Sequence, residues 1–563
     1  MKNVAFLSLL GATVAFGQPA TSPAASTTKP GQPLGMSDKI LLDPDLLAAK
    51  PGEAVILSQL KGVRILASAD QLKDPGFPVR GVDISHVPWF DVRTFSALPS
   101  KFLNKPASKE SLNRIVNALR LYASLMGHSF VSVYLPPQDI TAGYVQIVMN
   151  EAKADAKIGI NGAHYFSERT YRSALRQQPG QPIDKQQLDQ DVAWLNRNPY
   201  HQVQVAATSG ATANSTALDL DVQERIPWGL SAGYNNTGTK NTDENRISAG
   251  VTWANALGRG DQLNYQFIAD PHLEHSKTNA VTYTSFLPWR HIATFSGSYT
   301  ALDTIMAAPL TQTGTSWQTG LRYEVPLKAP RQGWTQNLSF STDLKYSDNN
   351  LEFASVPITN NPTEILEFGA TYGVSFRQFG GLNSVTITGE ASPGGLVSHD
   401  NDRAFNGSRF GAKAQFAYVT LNLSHEHPLV RGFTWDFSLT AQRASGALLG
   451  TEQLNGGGSS AVRGYAESTA FGDGGVVVSN ELHAPAIGLV RGHDTLDLFA
   501  FVDVASLNLR VDNESTDLRS VGLGATYQFA RYASVRAAYG WQLKYLDHST
   551  EHSHAHISVN LSW

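Results

Sequence analysis

The sequence contains no cysteine. That excludes a disulfide framework, a thiolate metal site and a cysteine nucleophile, and it suits an oxidising compartment in which stray thiols are a liability. An excess of positive charge is missing as well. With 44 Lys and Arg against 48 Asp and Glu, there is no basic field to recruit nucleic acid, and none is expected as a partner. No spacing of Ser, His and Asp suggests a catalytic triad, and no phosphate loop occurs, so neither an enzyme nor a nucleotide-driven machine is indicated. No cofactor and no bound metal are expected. Beyond the N-terminus no apolar run approaches the roughly 20 residues of a membrane-spanning helix. A membrane can still be crossed by a closed barrel of alternating strands.

What is present begins with Lys2 and a short apolar run, Val4 to Phe16, followed by the small residues around Ala15 to Gly17. This pattern predicts a signal peptide over residues 1–17 and a mature chain starting near Gln18, outside the cytoplasm. Residues 18–50, rich in Pro, Ala, Ser and Thr, read as a linker.

From 51 to 225 strands and helices mix. In "SKESLNRIVNALRLYASLM", Leu112, Ile115, Leu119, Tyr122 and Met126 recur at spacings of three and four, which predicts an amphipathic helix. Two strands follow, "SFVSVYLP" and "GYVQIVMNE", joined by "PQDITAG". The order then repeats: a strand in "ADAKIGING", helices in "FSERTYRSALRQ" and "DKQQLDQDVAWLNRNP", and a closing strand pair. Asp184 is placed to cap the second of these helices. Two α+β modules, 51–152 and 153–225, are therefore expected.

After Arg225 the helical period disappears, and about 16 segments alternate apolar with polar or small residues. In "TLDLFAFVDVA", Leu496, Leu498, Ala500, Val502 and Val504 share one face, opposite Asp497, Phe499, Phe501 and Asp503. The first face suits lipid and the second a lumen. The final segment puts Val559, Leu561 and the terminal Trp563 on one face, an aromatic ending read as an insertion signal. The expected fold is thus two α+β modules followed by an all-β, 16-stranded antiparallel transmembrane barrel over 226–563, with outer-membrane lipid as its solvent. Counting hairpins from a periplasmic entry makes the Gly/Ser-rich segment 444–475 the sixth external loop. Two motifs are set aside. Arg259-Gly260-Asp261 falls in a periplasmic turn, where its charges would stay solvated, and His552, His554 and His556 read as scattered histidines of an external loop.

The sixth loop carries Val462-Arg463-Gly464-Tyr465, and the thirteenth strand carries Phe501-Val502-Asp503. Together with "SNEL" around Glu481, "YNNTGT" followed by "NALGRGDQL", and the turn residues Pro137, Gln138, Ile140 and Gly143, these motifs resemble the transporters of two-partner secretion, the haemolysin-activator type. The resemblance covers nearly all of the mature chain. It implies that the modules are POTRA domains and that Arg463 folds back into the barrel to pair with Asp503, with Glu481 as a second lumen partner. Elementary chemistry agrees: a glycine beside an arginine lets the backbone turn while the guanidinium grips a carboxylate bidentately. The resemblance also allows "DKILLDPDLLAAK" to be a short plug helix broken by Pro44. It implies a protein that recognises an unfolded exoprotein, of haemolysin, adhesin or toxin type, and passes it outward without ATP. A barrel-assembly factor and a diffusion porin are the alternatives.

Overall fold

The computed structural model describes residues 52–563, apart from short stretches at 74–77, 80, 88–102, 126–127, 129, 156–157, 211–214, 309, 332, 355, 491, 512 and 547–550. The expected signal peptide, linker and plug helix lie outside the described residues. The chain divides after Arg225 into two compact units.

The first unit opens with β1 (Val55–Leu57), β2 (Gly62–Leu66), β3 (Gly81–Asp83), β4 (Ala107–Ser108), α1 (Lys109–Leu125), β5 (Val131–Tyr134) and β6 (Tyr144–Glu151). Four of these strands form a sheet in the order β3-β2-β6-β5. The Ser108 hydroxyl accepts the Ser111 backbone N–H at 2.9 Å, starting α1. The helix buries Leu112, Ile115 and Leu119 against Val63, Ile65 and Ile147 of the sheet. A stripe of period 3.6 thus meets a face of period 2, as the spacing requires.

The second module comprises β7 (Lys153–Ala154), β8 (Gly159–Asn161), α2 (Glu168–Ala174), α3 (Lys185–Leu195), β9 (His201–Ser209) and β10 (Ser215–Glu224). β10 is central, with β9 antiparallel on one side and β7 and β8 parallel on the other. Asp184 caps α3, accepting the Gln187 N–H at 3.0 Å. Asn196, just past α3, takes both the N–H and the C=O of Val203 on β9, at 2.7 and 3.0 Å. Its side-chain amide thus occupies the place of a neighbouring strand.

The second unit is a closed antiparallel barrel. Seventeen strands lie on its path, but short Val356–Asn360 pairs only with the far end of Trp334–Phe353, whose main partner is Thr363–Gln378. Sixteen strands therefore make the wall among the described residues. Closure joins the first wall strand (Trp228–Asn235) to the sixteenth (Ser553–Ser562), Ser231 opposite Ser562 through Asn235 opposite Ser558. Trp563 and Leu230 exchange backbone hydrogen bonds at 2.9 and 3.2 Å, fastening the last residue. A G-x-S-x-G sequence, Gly229 to Gly233, lies wholly inside the first strand, so Ser231 has none of the strand-to-helix elbow that exposes a nucleophile.

Connections alternate between two ends of the barrel: the shortest turns, 379–380, 530–532 and 257–260, lie at one, and the longest loops, 393–415 and 445–473, at the other. The sixth and seventh wall strands, Leu310–Leu327 and Trp334–Phe353, pair along their length from Leu310 opposite Phe353 to Leu327 opposite Gln336. Spanning a bilayer needs only about 9–11 residues. Large apolar side chains such as Phe340, Phe368, Leu498 and Leu523 face outward and exposed. Aromatic pairs gird the short-turn end: Trp228 stacks on Trp253 at 5.1 Å and Trp334 on Phe376 at 4.4 Å.

Three expectations need correction. Asp261 of the Arg-Gly-Asp turn is not solvated; it is buried and accepts the Tyr283 hydroxyl at 2.6 Å and the Phe286 N–H at 3.1 Å. His554 and His556 lie in the sixteenth wall strand rather than a loop, and His556 is buried with its Nδ1 3.7 Å from Glu467. The lumen face of the thirteenth strand (Asp494–Asn508) is also less polar than a wet pore needs, since Phe499, Phe501, Ala505 and Leu507 are buried on it beside Asp503.

Candidate functional site

The connection between the eleventh wall strand (Thr434–Ala444) and the twelfth (Gly474–His483) is the sixth on the long-loop side. This loop, residues 445–473, packs against the inner wall; Val462, Arg463 and Tyr465 are only 0, 4 and 1% exposed.

The thirteenth strand presents Asp503 inward because its side chains alternate, with Phe501 two residues earlier on the same face. Arg463 grips Asp503 bidentately: Nε donates to Oδ2 and Nη2 to Oδ1, both at 2.7 Å. The Arg463 backbone N–H adds a third bond to Oδ2 at 3.0 Å. Nη1 donates to Glu481 of the twelfth strand at 2.5 Å. The guanidinium carbon lies 3.7 Å from the Phe501 ring centroid, stacked over its face. Asp503 is fully buried, so this pair has little water to compete with it. Removing one partner of such a buried pair costs about 3–5 kcal/mol, since the other charge is stranded.

The remaining residues of the tetrad shape the contact. Gly464 has φ +95° and lies against Gly540 of the fifteenth wall strand (Ala533–Gln542); a Cβ on Gly540 would come within 2.6 Å of the Gly464 nitrogen. Two backbones meet here with no side chain between them. Tyr465 drives its hydroxyl to the carbonyls of Lys544 and Arg519, at 2.5 and 3.1 Å. Val462 joins Tyr465, Leu507 and Leu518 in an apolar cluster.

Several members of the site went unread in the sequence. Ser479 bridges the lock, accepting Arg463 Nη2 at 2.9 Å and donating to Asp503 at 2.6 Å. Gln542 donates to the Gly464 carbonyl at 2.8 Å. Arg536 shares Glu481, at 3.1 Å, and lies 4.5 Å from the Phe499 ring centroid. Gly522 and Gly524, on the fourteenth wall strand (Ser515–Phe529), stand opposite Phe501 and Phe499. A Cβ on either would meet the facing ring at 2.3 or 2.2 Å. A G-x-G strand beside an F-x-F strand was the available signal.

In the first module Gln138 behaves as Asn196 does in the second. Its amide donates to the Gln146 carbonyl at 2.6 Å and accepts the Gln146 N–H at 2.8 Å, extending β6 past the end of β5. Gly143, at φ +89°, donates to Ile140 and accepts from Lys61, both at 2.8 Å. Ile140 packs on the core. The proline buried in this turn is Pro136, whose carbonyl Gln138 also reaches; Pro137 is exposed. Among the described residues no group of three or more His, Asp or Glu is placed to hold a metal.

Residues 214–527 match the family model described as haemolysin secretion/activation protein ShlB/FhaC/HecB. Residues 77–152 match a ShlB-type POTRA domain, and 156–225 match the POTRA model described as surface antigen variable number repeat. The Outer membrane transporter CdiB of Dickeya dadantii (strain 3937) is 25% identical over 492 residues, 85% of each chain. The Hemolysin transporter protein ShlB of Serratia marcescens is 23% identical over 534 residues, 90% of each. The solved structure of CdiB from Escherichia coli shares the fold, with a TM-score of 0.72 at 17% identity over 92% of both chains. The chain therefore belongs to the haemolysin secretion/activation family of two-partner secretion, as an outer-membrane β-barrel transporter whose POTRA modules lie in the periplasm.

Proposed function

We propose that this transporter recognises an unfolded partner exoprotein through its POTRA modules and passes it through the barrel without ATP, with loop 6 as the gate. The observation that carries this reading is the Arg463–Asp503–Glu481 lock, which holds the tip of a 29-residue connection (445–473) against the inner wall by a few breakable polar bonds. A passive porin has no use for such a lock, nor for two folded modules.

Recognition would be by β-augmentation, in which an extended client adds a strand to an open sheet edge and backbone hydrogen bonds supply affinity without strict sequence demands. On β9 Asn196 already occupies the backbone of Val203. The edge from Val205 to Ser209 is the length we assign to the client. Val559, Leu561 and Trp563, on the closing strand, would serve as the insertion signal for the assembly of the barrel itself. Folding of the client outside the cell, where its backbone groups find partners, would make export directional.

Arg463→Ala should leave the barrel inserted and abolish most export, read as exoprotein in the medium against barrel in the outer membrane. Normal export by that variant would remove the lock from the mechanism. Deleting the gene in the native host should remove one large exoprotein from the medium with the outer-membrane profile intact. General loss of barrels would instead identify an assembly factor.

A further inference from the structure

Loop 6 touches the barrel in two places that share no residue. Its tip, residues 456–470, carries the Arg463 lock and an apolar cluster of Ala461, Val462, Tyr465 and Ala470 with the twelfth to fourteenth wall strands. Its root has an apolar cluster of its own. Ala447, Leu448 and Leu449 pack with Phe405, Phe416 and Ile365, from loop 5 and the tenth and eighth wall strands. Between root and tip the loop narrows to a two-rung ladder, Leu454 opposite Gly472 and Asn455 opposite Phe471.

The root also has its own buried charges. Glu452 is 4% exposed, in the short turn of 3-10 helix Gly450–Glu452. It accepts Lys345 of the seventh wall strand at 2.8 Å and the Tyr418 hydroxyl of the tenth (Phe416–Pro428) at 2.7 Å. Lys345 bridges onward to Glu367 of the eighth (Thr363–Gln378) at 2.5 Å. At the other end of the loop, Asp473 is fully buried and collects Arg409 from loop 5, at 2.9 Å to Nη2. It also accepts the backbone N–H groups of Leu448 and Arg510, at 2.9 and 2.8 Å. Asp473 therefore ties both ends of loop 6 to loops 5 and 7.

We propose that loop 6 is fastened twice, and that Lys345 and Glu452 position its root on the seventh to tenth wall strands, and Asp473 on loops 5 and 7, so that only the tip moves when Arg463 lets go. This rests on loop 6 being the gate, and it narrows the moving part to residues 456–470 hinged at the ladder. The physical reason is separation. Two clusters with no shared partner contribute independently, so loosening one leaves the other nearly unchanged. Stranding a buried carboxylate at the root is as unfavourable as stranding Asp503 at the tip, so release of the tip alone is the lower-energy opening.

The test uses the full chain in outer-membrane vesicles, and the absence of native cysteine makes it clean. Single reporters Ala461→Cys at the tip and Ala447→Cys at the root, both at buried positions, are labelled with a water-soluble maleimide. Arg463→Ala should raise the labelling rate of the Ala461→Cys reporter about tenfold or more and leave the Ala447→Cys reporter protected. Lys345→Met, and separately Glu452→Gln, should release the Ala447→Cys reporter. Equal exposure of both reporters by Arg463→Ala would mean a loop that detaches whole, and would overturn the proposal. So would an Ala447→Cys reporter that stays protected in both root variants. If the root variants fail to insert, shown by loss of heat-modifiable mobility, the two reporters in the Arg463→Ala background decide the matter alone. No client enters the assay, so it can fail while the transport reading stands, and a secretion defect cannot masquerade as support.

Discussion

The first periplasmic module and the barrel differ in where they put charge. In the first module the interior is Leu112, Leu119, Val145 and Ile147, and the ion pair Arg114–Glu53 at 2.6 Å stays at the margin, its side chains still 26 and 16% exposed. In the barrel the most enclosed groups include Arg463, Asp503, Glu452 and Asp473, whereas Phe340, Leu498 and Leu523 face out. The modules gain stability from water leaving apolar surface. The barrel wall holds its shape through a closed backbone ladder, and its interior polarity is free to serve a moving part. A buried charge is worth little as glue but sharply defines one arrangement, which is what a latch requires.

This contrast can be strained in three ways. The largest effect should come from Asp503→Ala, which leaves Arg463 with Glu481 as its one carboxylate partner and costs the closed tip up to about 3–5 kcal/mol while the wall stays folded; protease cutting near the exposed Ser459 and Ser460 should rise steeply. If cutting stays at the wild-type level, the buried charge is not what holds the tip. Next, Leu119→Ala should cost the first module about 2–5 kcal/mol through the cavity it leaves, with no change in the heat-modifiable mobility of the barrel. Coupled loss of both would mean that the two regions do not fold by separate rules.

The smallest effect concerns a titratable group inside a module. His201 is packed edge-on between Phe166 and Tyr171, at 4.9 and 5.3 Å, and its Nδ1 has no hydrogen-bond partner among the described residues. Burial pushes its pKa down to about 4, against a smaller opposing pull from Glu224. The folded value lies below the unfolded one, so the unfolded state binds the extra proton and stability falls as pH drops from about 6.5 to 4. Between pH 7 and pH 5 the second module should lose roughly 2 kcal/mol, seen as faster limited proteolysis, and His201→Phe should flatten that slope. An unchanged slope in His201→Phe would assign the acid sensitivity to other groups.

Much of this was legible because it is periodic or local. Leu112, Ile115 and Leu119 announce their helix by spacing, Asp184 announces its cap, and alternation puts Asp503 and Glu481 inward. The root of loop 6 was not legible. Lys345 and Glu452 are 107 residues apart, and an inward lysine or glutamate in a barrel strand looks the same whether it lines water or anchors a loop. Asp261 and His556 misled for a related reason: Asp261 is buried by Tyr283 and Phe286 of the next strand, 22 and 25 residues on, and His556 lies beside Glu467 of loop 6, so the residues flanking each say nothing of its surroundings.

The paired ribbon of the sixth and seventh wall strands has a consequence at the cell surface. The seventh strand has 20 residues, about nine more than a bilayer uses, and at a typical tilt the excess would rise roughly 20 Å above the headgroups. Its end is three strands wide, with residues 310–312 on one side and 356–360 on the other. To an antibody or a phage the molecule is therefore marked by a stiff landmark far along the chain from loop 6. A binder directed at residues 310–314 would report insertion and orientation on intact cells, whatever the gate is doing.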